Sequence, residues 1–178
     1  MPTITLVPGA DGYWKQYASI TGAASAWEAL DETPHDGDTS YITLTPTEEL
    51  VMPLASFHFH GASNLRPKSV TLQHTSKQTV GTVLVALELS DKDGNIAFGE
   101  EFSGTADYTQ RTKAFTTHPY TGAPFAAGDL NGLEIVLRCR KHTLGSYPCE
   151  ARFTRAAVVV VYDEPTMYRT RRYGNITG

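Results

Sequence analysis

Apolar and polar residues alternate strictly along much of this chain, and that period narrows its fold more than any other feature. In 52–60, Phe57 and Phe59 alternate with His58 and His60. In 69–75, Val70 and Leu72 alternate with Thr71 and Gln73. In 133–139, Leu133, Ile135, Leu137 and Cys139 oppose Glu134, Val136 and Arg138. A period of two places successive side chains on opposite faces, so each stretch reads as a strand with one buried face. Stretches 3–7, 40–45, 81–89, 96–102, 108–117 and 149–162 bring the expected number to about nine strands. Only 23–30 has helix-friendly composition, about two turns long. Fifteen glycines and ten prolines are spread between the strands rather than gathered into a linker. The expected fold is all-β: a jelly-roll-like β-sandwich with one short helix.

Two stretches break the one-face rule. Residues 83–87 and 156–161 are apolar at every position, so both faces of those strands need cover. That cover is either a part of the same chain or a neighbouring subunit. Asp93-Gly94, within 90–95, suits the positive φ of a tight turn and predicts a hairpin. At 178 residues the chain has the length of one domain, which buries roughly 70% of its unfolded surface. Residues 1–164 are expected to form the sandwich and 165–178 a basic C-terminal arm. The start of the chain has no basic stretch followed by an apolar run, so no secretory leader is expected. The apolar run at 156–162 is far short of the roughly 20 residues of a membrane span. These features predict a soluble protein made in a cytoplasm, with no membrane partner. The net charge of −4 argues against direct nucleic-acid binding, which needs a surplus of Lys and Arg.

The chemistry-bearing residues are sparse. His58 and His60 share a strand face at a spacing that can chelate a metal, but no carboxylate follows in 61–65, so no metal site is expected. Residues 91–95 resemble a calcium loop at first sight. The glycine and glutamate positions of that loop are taken by Ile96 and Phe102, so a hairpin is the better reading. Asp36-Gly37-Asp38 reads as a turn. Gly61-Ala62-Ser63-Asn64-Leu65 lacks the closing glycine of a nucleophile elbow. Glu100-Glu101 and Asp31-Glu32 are adjacent, so in a strand each pair points to opposite faces and makes no acid/base dyad. Asn175-Ile176-Thr177 spells a glycosylation sequon, which is silent in a cytoplasmic product. No catalytic residue, cofactor or metal is expected, and the chain is read as a non-enzyme.

Cys139 and Cys149 flank an expected hairpin turn at 141–148, where they could face each other across two strands. A cross-strand disulfide is one reading. Two reduced thiols is the other, favoured by cytoplasmic synthesis. The arm carries Tyr168, Arg169, Arg171, Arg172 and Tyr173 and no acid. Its formal charge of +3 leaves −7 on the remainder of a chain that totals −4. Arginine and tyrosine are favoured at interfaces. The arm, with Val158 and Val160 of the doubly apolar stretch, is therefore the expected assembly interface.

Several segments together resemble a group of tailed-phage virion structural proteins. Thr3-Ile4-Thr5-Leu6-Val7-Pro8 is similar to their opening strand. Trp27-Glu28-Ala29-Leu30-Asp31-Glu32 followed by Asp36-Gly37-Asp38-Thr39-Ser40-Tyr41 is the most specific part. Pro119-Tyr120-Thr121-Gly122-Ala123-Pro124, with Asp129-Leu130-Asn131-Gly132-Leu133 behind it, resembles their segment before a penultimate strand. Phe125 stands where the group usually has Trp, and the arm has no counterpart. The resemblance implies a structural component of a phage particle, a capsid decoration or a tail or neck protein. It implies a homo-oligomer, a trimer by preference, in contact with major capsid or tail proteins in the virion. A carbohydrate-binding module for host attachment is the alternative, with Tyr13, Trp14, Tyr108 and Tyr120 as candidate platform residues. A sandwich-fold hydrolase is a third.

Overall fold

The computed structural model describes residues 1–8, 19–31, 34, 36–46, 66–90, 96–97, 100–126, 129, 134–145 and 147–163. The described chain is all-β, two antiparallel sheets packed face to face. The strands are β1 (Thr3–Leu6), β2 (Ser19–Thr21), β3 (Tyr41–Leu44), β4 (Arg66–Val80), β5 (Val83–Ser90), β6 (Ile96–Ala97), β7 (Phe102–Ser103), β8 (Thr109–Phe115), β9 (Glu134–Lys141) and β10 (Glu150–Asp163). The larger sheet runs β2-β3-β10-β4-β8, with β1 also on β10. In the smaller sheet β5 is central, between β9 on one edge and β6 and β7 on the other. Expected strand 96–102 is divided into β6 and β7, and β2 was not anticipated. The expected strand 52–60 lies outside the described residues, as does the 91–95 loop. The strands flanking that loop pair antiparallel, Leu89 with Ala97 and Ser90 with Ile96, as a hairpin requires.

The alternation of the sequence becomes the core. Val85, Leu87 and Leu89 of β5 sit in register with Cys139, Leu137 and Ile135 of β9. They face Val70, Leu72, Phe153, Val158 and Val160 of the larger sheet. The two doubly apolar stretches are the centres of their sheets, β5 and β10. Both flanks of β10 are occupied: β4 along its whole length, and β3 then β1 on the other edge. Pairing with β3 stops at Phe153 and pairing with β1 starts at Val158. In the gap, the carbonyl of Leu30 accepts the Ala156 N–H at 2.9 Å. Beside it the register slips between Phe153 and Arg155, a β-bulge at Thr154.

No helix occurs among the described residues. The expected helix at 23–30 is instead a run of turns with a single i→i−4 bond, Ala29 N–H to Ser25 O at 3.3 Å. Two turns are too few to pay for nucleation alone. The segment is held by packing, with Ala26, Ala29 and Leu30 in the core and Trp27 against it.

Three connections cross between the sheets at one end of the sandwich. They are β4 to β5 at Gly81-Thr82, β7 to β8 at 104–108, and β9 to β10 at 142–149. Backbone bonds tie them together: Gln78 N to Thr105 O at 2.8 Å, Gly104 N to Val83 O at 2.8 Å and His142 N to Thr82 O at 3.1 Å. Gly81 turns the corner at φ +63, and a Cβ there would lie 2.6 Å from the Pro148 carbonyl oxygen. This corrects the hairpin expected at 141–148: β9 and β10 belong to different sheets. The turn residues were read correctly, but a tight turn can end a strand pair or change sheets with the same composition.

Candidate binding face

Register decides which side chains meet on the outward face of the larger sheet. Arg152 of β10 lies opposite Lys77 of β4. Like charges directly opposite across a strand pair repel. Asp38, in the turn that leads into β3, resolves this. Its carboxylate accepts from Lys77 Nζ at 2.7 Å, Tyr108 Oη at 2.9 Å and Arg152 Nη1 at 2.9 Å. The turn is set by Asp36, which accepts from Ser40 N at 3.2 Å and Ser40 Oγ at 3.0 Å. The Lys77 ammonium lies 4.4 Å from the centroid of the Tyr108 ring, and the Arg152 guanidinium 4.4 Å from that of Tyr41. Two cation–aromatic pairs thus flank one carboxylate.

The hydrogen bond from Lys77, helped by those from Tyr108 and Arg152, holds the Asp38 carboxyl down at about 2. Burial, and the Asp38 carboxylate it donates to, push the Tyr108 phenol above its usual value. Asp38 remains 55% exposed, so this charge is presented to solvent. In the next row, Arg155 aligns with Thr75 of β4 and Thr75 with Gln110 of β8. Arg155 Nη1 donates to Gln110 Oε1 at 3.5 Å.

A second charged group sits on the smaller sheet. Glu88 is 1% exposed and pairs with Arg138 at 3.1 Å, next to the Glu101–Arg140 pair. Burial pushes the Glu88 carboxyl up, against the pull of Arg138. Glu100 instead approaches Lys113 at 3.9 Å, so the two adjacent glutamates take different partners. Among the described residues, no three His, Cys, Asp or Glu side chains are placed to hold a metal.

Among the described residues the core holds one imidazole. His74 lies between Phe102 and Phe153, with ring centroids at 6.2 and 5.7 Å. Neither ring nitrogen has a hydrogen-bond partner among the described residues. Burial, with the Arg111 charge adding to it, pushes its pKa down to about 3. Arg111 itself donates to Ser103 O at 2.8 Å and to Thr109 O at 3.1 Å.

The residues expected to matter are distributed unevenly. Val158 and Val160 point inward, opposite Leu6 and Ile4 of β1, and are buried in the core. The side chains on the outward phase are Ala157, Val159 and Val161, the last two half-buried. Tyr168, Arg169, Arg171, Arg172 and Tyr173 lie outside the described residues, as do His58, His60, Tyr13 and Trp14. Cys139 and Cys149 are free, buried thiols. They approach across the sandwich: burial pushes Cys139 up to about 12, and Cys149 adds to the rise. Tyr120 is committed to the fold, its hydroxyl donating to Leu89 O at 2.7 Å. Tyr108 does reach the outward face. Sequence reasoning missed the cluster around it, because Asp38, Lys77, Tyr108 and Arg152 come from four separate parts of the chain. His74 was legible: it continues the inward phase of Val70 and Leu72.

No family model matches the sequence, and no curated protein matches it. Solved structures similar in shape include a family 4 carbohydrate-binding module, a cyclase from Fischerella and a protein of infectious bursal disease virus. The first is 16% identical, with a TM-score of 0.42 over 68% of this chain and 70% of that one. The cyclase is 15% identical, with a TM-score of 0.48 over 92% and 86%. The viral protein is 10% identical, with a TM-score of 0.42 over 90% and 33%. At these scores none of them bears on what this chain binds or does.

Proposed function

We propose that this chain is a non-catalytic structural component of a phage particle, a capsid decoration or a tail or neck protein that works through subunit contacts. The observation that carries the reading is an apolar tip at the end where the sheets cross. Leu144 is 90% exposed there, with Tyr147 and Val80 also exposed nearby. The turn that presents it is locked. Gly145 N donates to His142 O at 2.8 Å, Leu144 N to His142 Nδ1 at 3.1 Å, and His142 N is tied to Thr82 O. An exposed leucine on a hydrogen-bonded turn loses little backbone entropy on docking and gains by burial. The phage assignment itself rests on the sequence resemblance. In the fold, the resembling residues build structure: Leu30 fills the gap beside β10 and Asp36 fixes the turn into Tyr41.

The test is imaging of purified particles carrying labelled protein, with light scattering of the free chain, for which a trimer is expected. Leu144→Asp should leave the melting midpoint unchanged and weaken assembly. Deleting 168–178 should do the same, and high salt should mimic the deletion in part, since exposed ion pairs are screened. Particles without label, and a free chain that stays monomeric at high concentration, refute the reading. A second reading, a glycan-binding module for host attachment, is favoured by Tyr41 and Tyr108 beside the exposed Asp38 carboxylate.

A further inference from the structure

We infer that the outward face of the larger sheet, from the Tyr41–Tyr108 end to Arg155, binds a glycan that carries carboxylate groups. The inference rests on the glycan reading above and names the ligand class. Three features of the face carry it.

The first is Asp38. An ionised carboxylate has about four acceptor positions. Three are taken by Lys77, Tyr108 and Arg152, and the group is more than half exposed. A fixed, solvent-facing acceptor is what a sugar hydroxyl needs, and its three donors hold it in place before any ligand arrives. The second is the pair of half-buried tyrosines, Tyr41 and Tyr108, each with a cation over one face of its ring. Such rings pack against the apolar C–H faces of sugars at low entropic cost.

The third is Arg155. Among the described residues its one hydrogen bond is the long one to Gln110, and its buried Nε has no partner. Lys77 and Arg152 share Asp38, whereas among the described residues no carboxylate pairs with Arg155. An uncompensated guanidinium in a chain of net charge −4 is matched by a ligand carboxylate, which it can take through two parallel hydrogen bonds. Lys77, Arg152 and Arg155 against the single Asp38 carboxylate leave the face cationic, so it attracts anions, while Asp38 adds a fixed acceptor for hydroxyl groups at one end. A hydroxyl-rich chain with spaced carboxylates satisfies both Asp38 and Arg155.

The full chain is applied to an array of neutral, uronate-bearing and sialate-bearing oligosaccharides. Calorimetry then follows with oligogalacturonate and with the matching neutral oligogalactoside at low salt. The expected preference for the acidic probe is about tenfold, the order of one charged hydrogen-bonded pair. Arg155→Gln should bring the acidic probe down to the neutral one and leave the neutral probe unchanged. Asp38→Asn should weaken both by about tenfold, and Tyr108→Phe should weaken both less. Melting midpoints check that each variant folds, and Tyr108→Phe replaces Asp38→Asn if the latter does not. Equal binding of acidic and neutral probes, or indifference to Arg155→Gln, overturns the inference while the glycan reading stands. Silence across the array overturns both. Binding of polyglutamate in preference to every glycan overturns both in favour of an acidic protein partner. Particle labelling is unaffected by any of these outcomes.

Discussion

His74 makes the stability of this fold depend on pH in a direction that can be worked out from its surroundings. Its ring is enclosed by Phe102 and Phe153, with the Arg111 guanidinium beside it. An unfolded chain protonates this histidine near 6.5, and the folded chain only at about 3. Between those values the unfolded state holds one more proton than the folded state. Stability is therefore full above pH 6.5 and is lost as pH falls, until the folded pKa is reached. The slope is about 1.4 kcal/mol per pH unit, so lowering pH from 7 to 5 costs about 2 kcal/mol through this group alone. The perturbation is His74→Leu, which keeps similar volume and removes the titration. It also removes two buried nitrogens without partners, each worth about 1–3 kcal/mol in desolvation. At pH 7 the variant should thus be at least as stable as the parent. Urea unfolding of both proteins at pH 7, 6 and 5 gives the difference in free energy, in which the shared titrating groups cancel. The advantage of the variant should widen by about 2 kcal/mol from pH 7 to 5. A difference that stays constant over that range refutes the assignment of a neutral, enclosed imidazole.

Two further outcomes follow from the corner where the sheets cross. Gly81→Ala places a Cβ at 2.6 Å from Pro148 O on a residue with φ +63, so urea unfolding should show a loss of at least about 2 kcal/mol. A loss under half of that means the corner relaxes and the contact is not rigid. The thiols of Cys139 and Cys149 are free and buried, and burial raises both. A thiol reagent at pH 8 should label neither in the folded protein and both after denaturation; a mass two daltons low and no labelling after denaturation indicates a disulfide instead.

The sequence by itself determined the fold class and most of the core. Alternation at Val70 and Leu72, and at Ile135, Leu137 and Cys139, named the inward residues because the pleat repeats every two residues wherever a strand is regular. It also showed that 83–87 and 156–161 need cover on both faces, as central strands do. Tertiary structure alone decided which sheet each strand joins. The residues at 141–148 suit a hairpin and a crossing equally, and only the placement of β9 on β5 and β10 on β4 separates them. The binding face depends on the same kind of information. Arg152 and Arg155 are three residues apart, so a regular strand sends them to opposite faces. The bulge at Thr154, opposite the gap filled by Leu30, resets the phase and turns both outward. Asp38 meets Lys77, Tyr108 and Arg152 across sequence separations of 39, 70 and 114 residues. Local pattern carries no record of partners that distant, because they are brought together by strand register rather than by spacing along the chain.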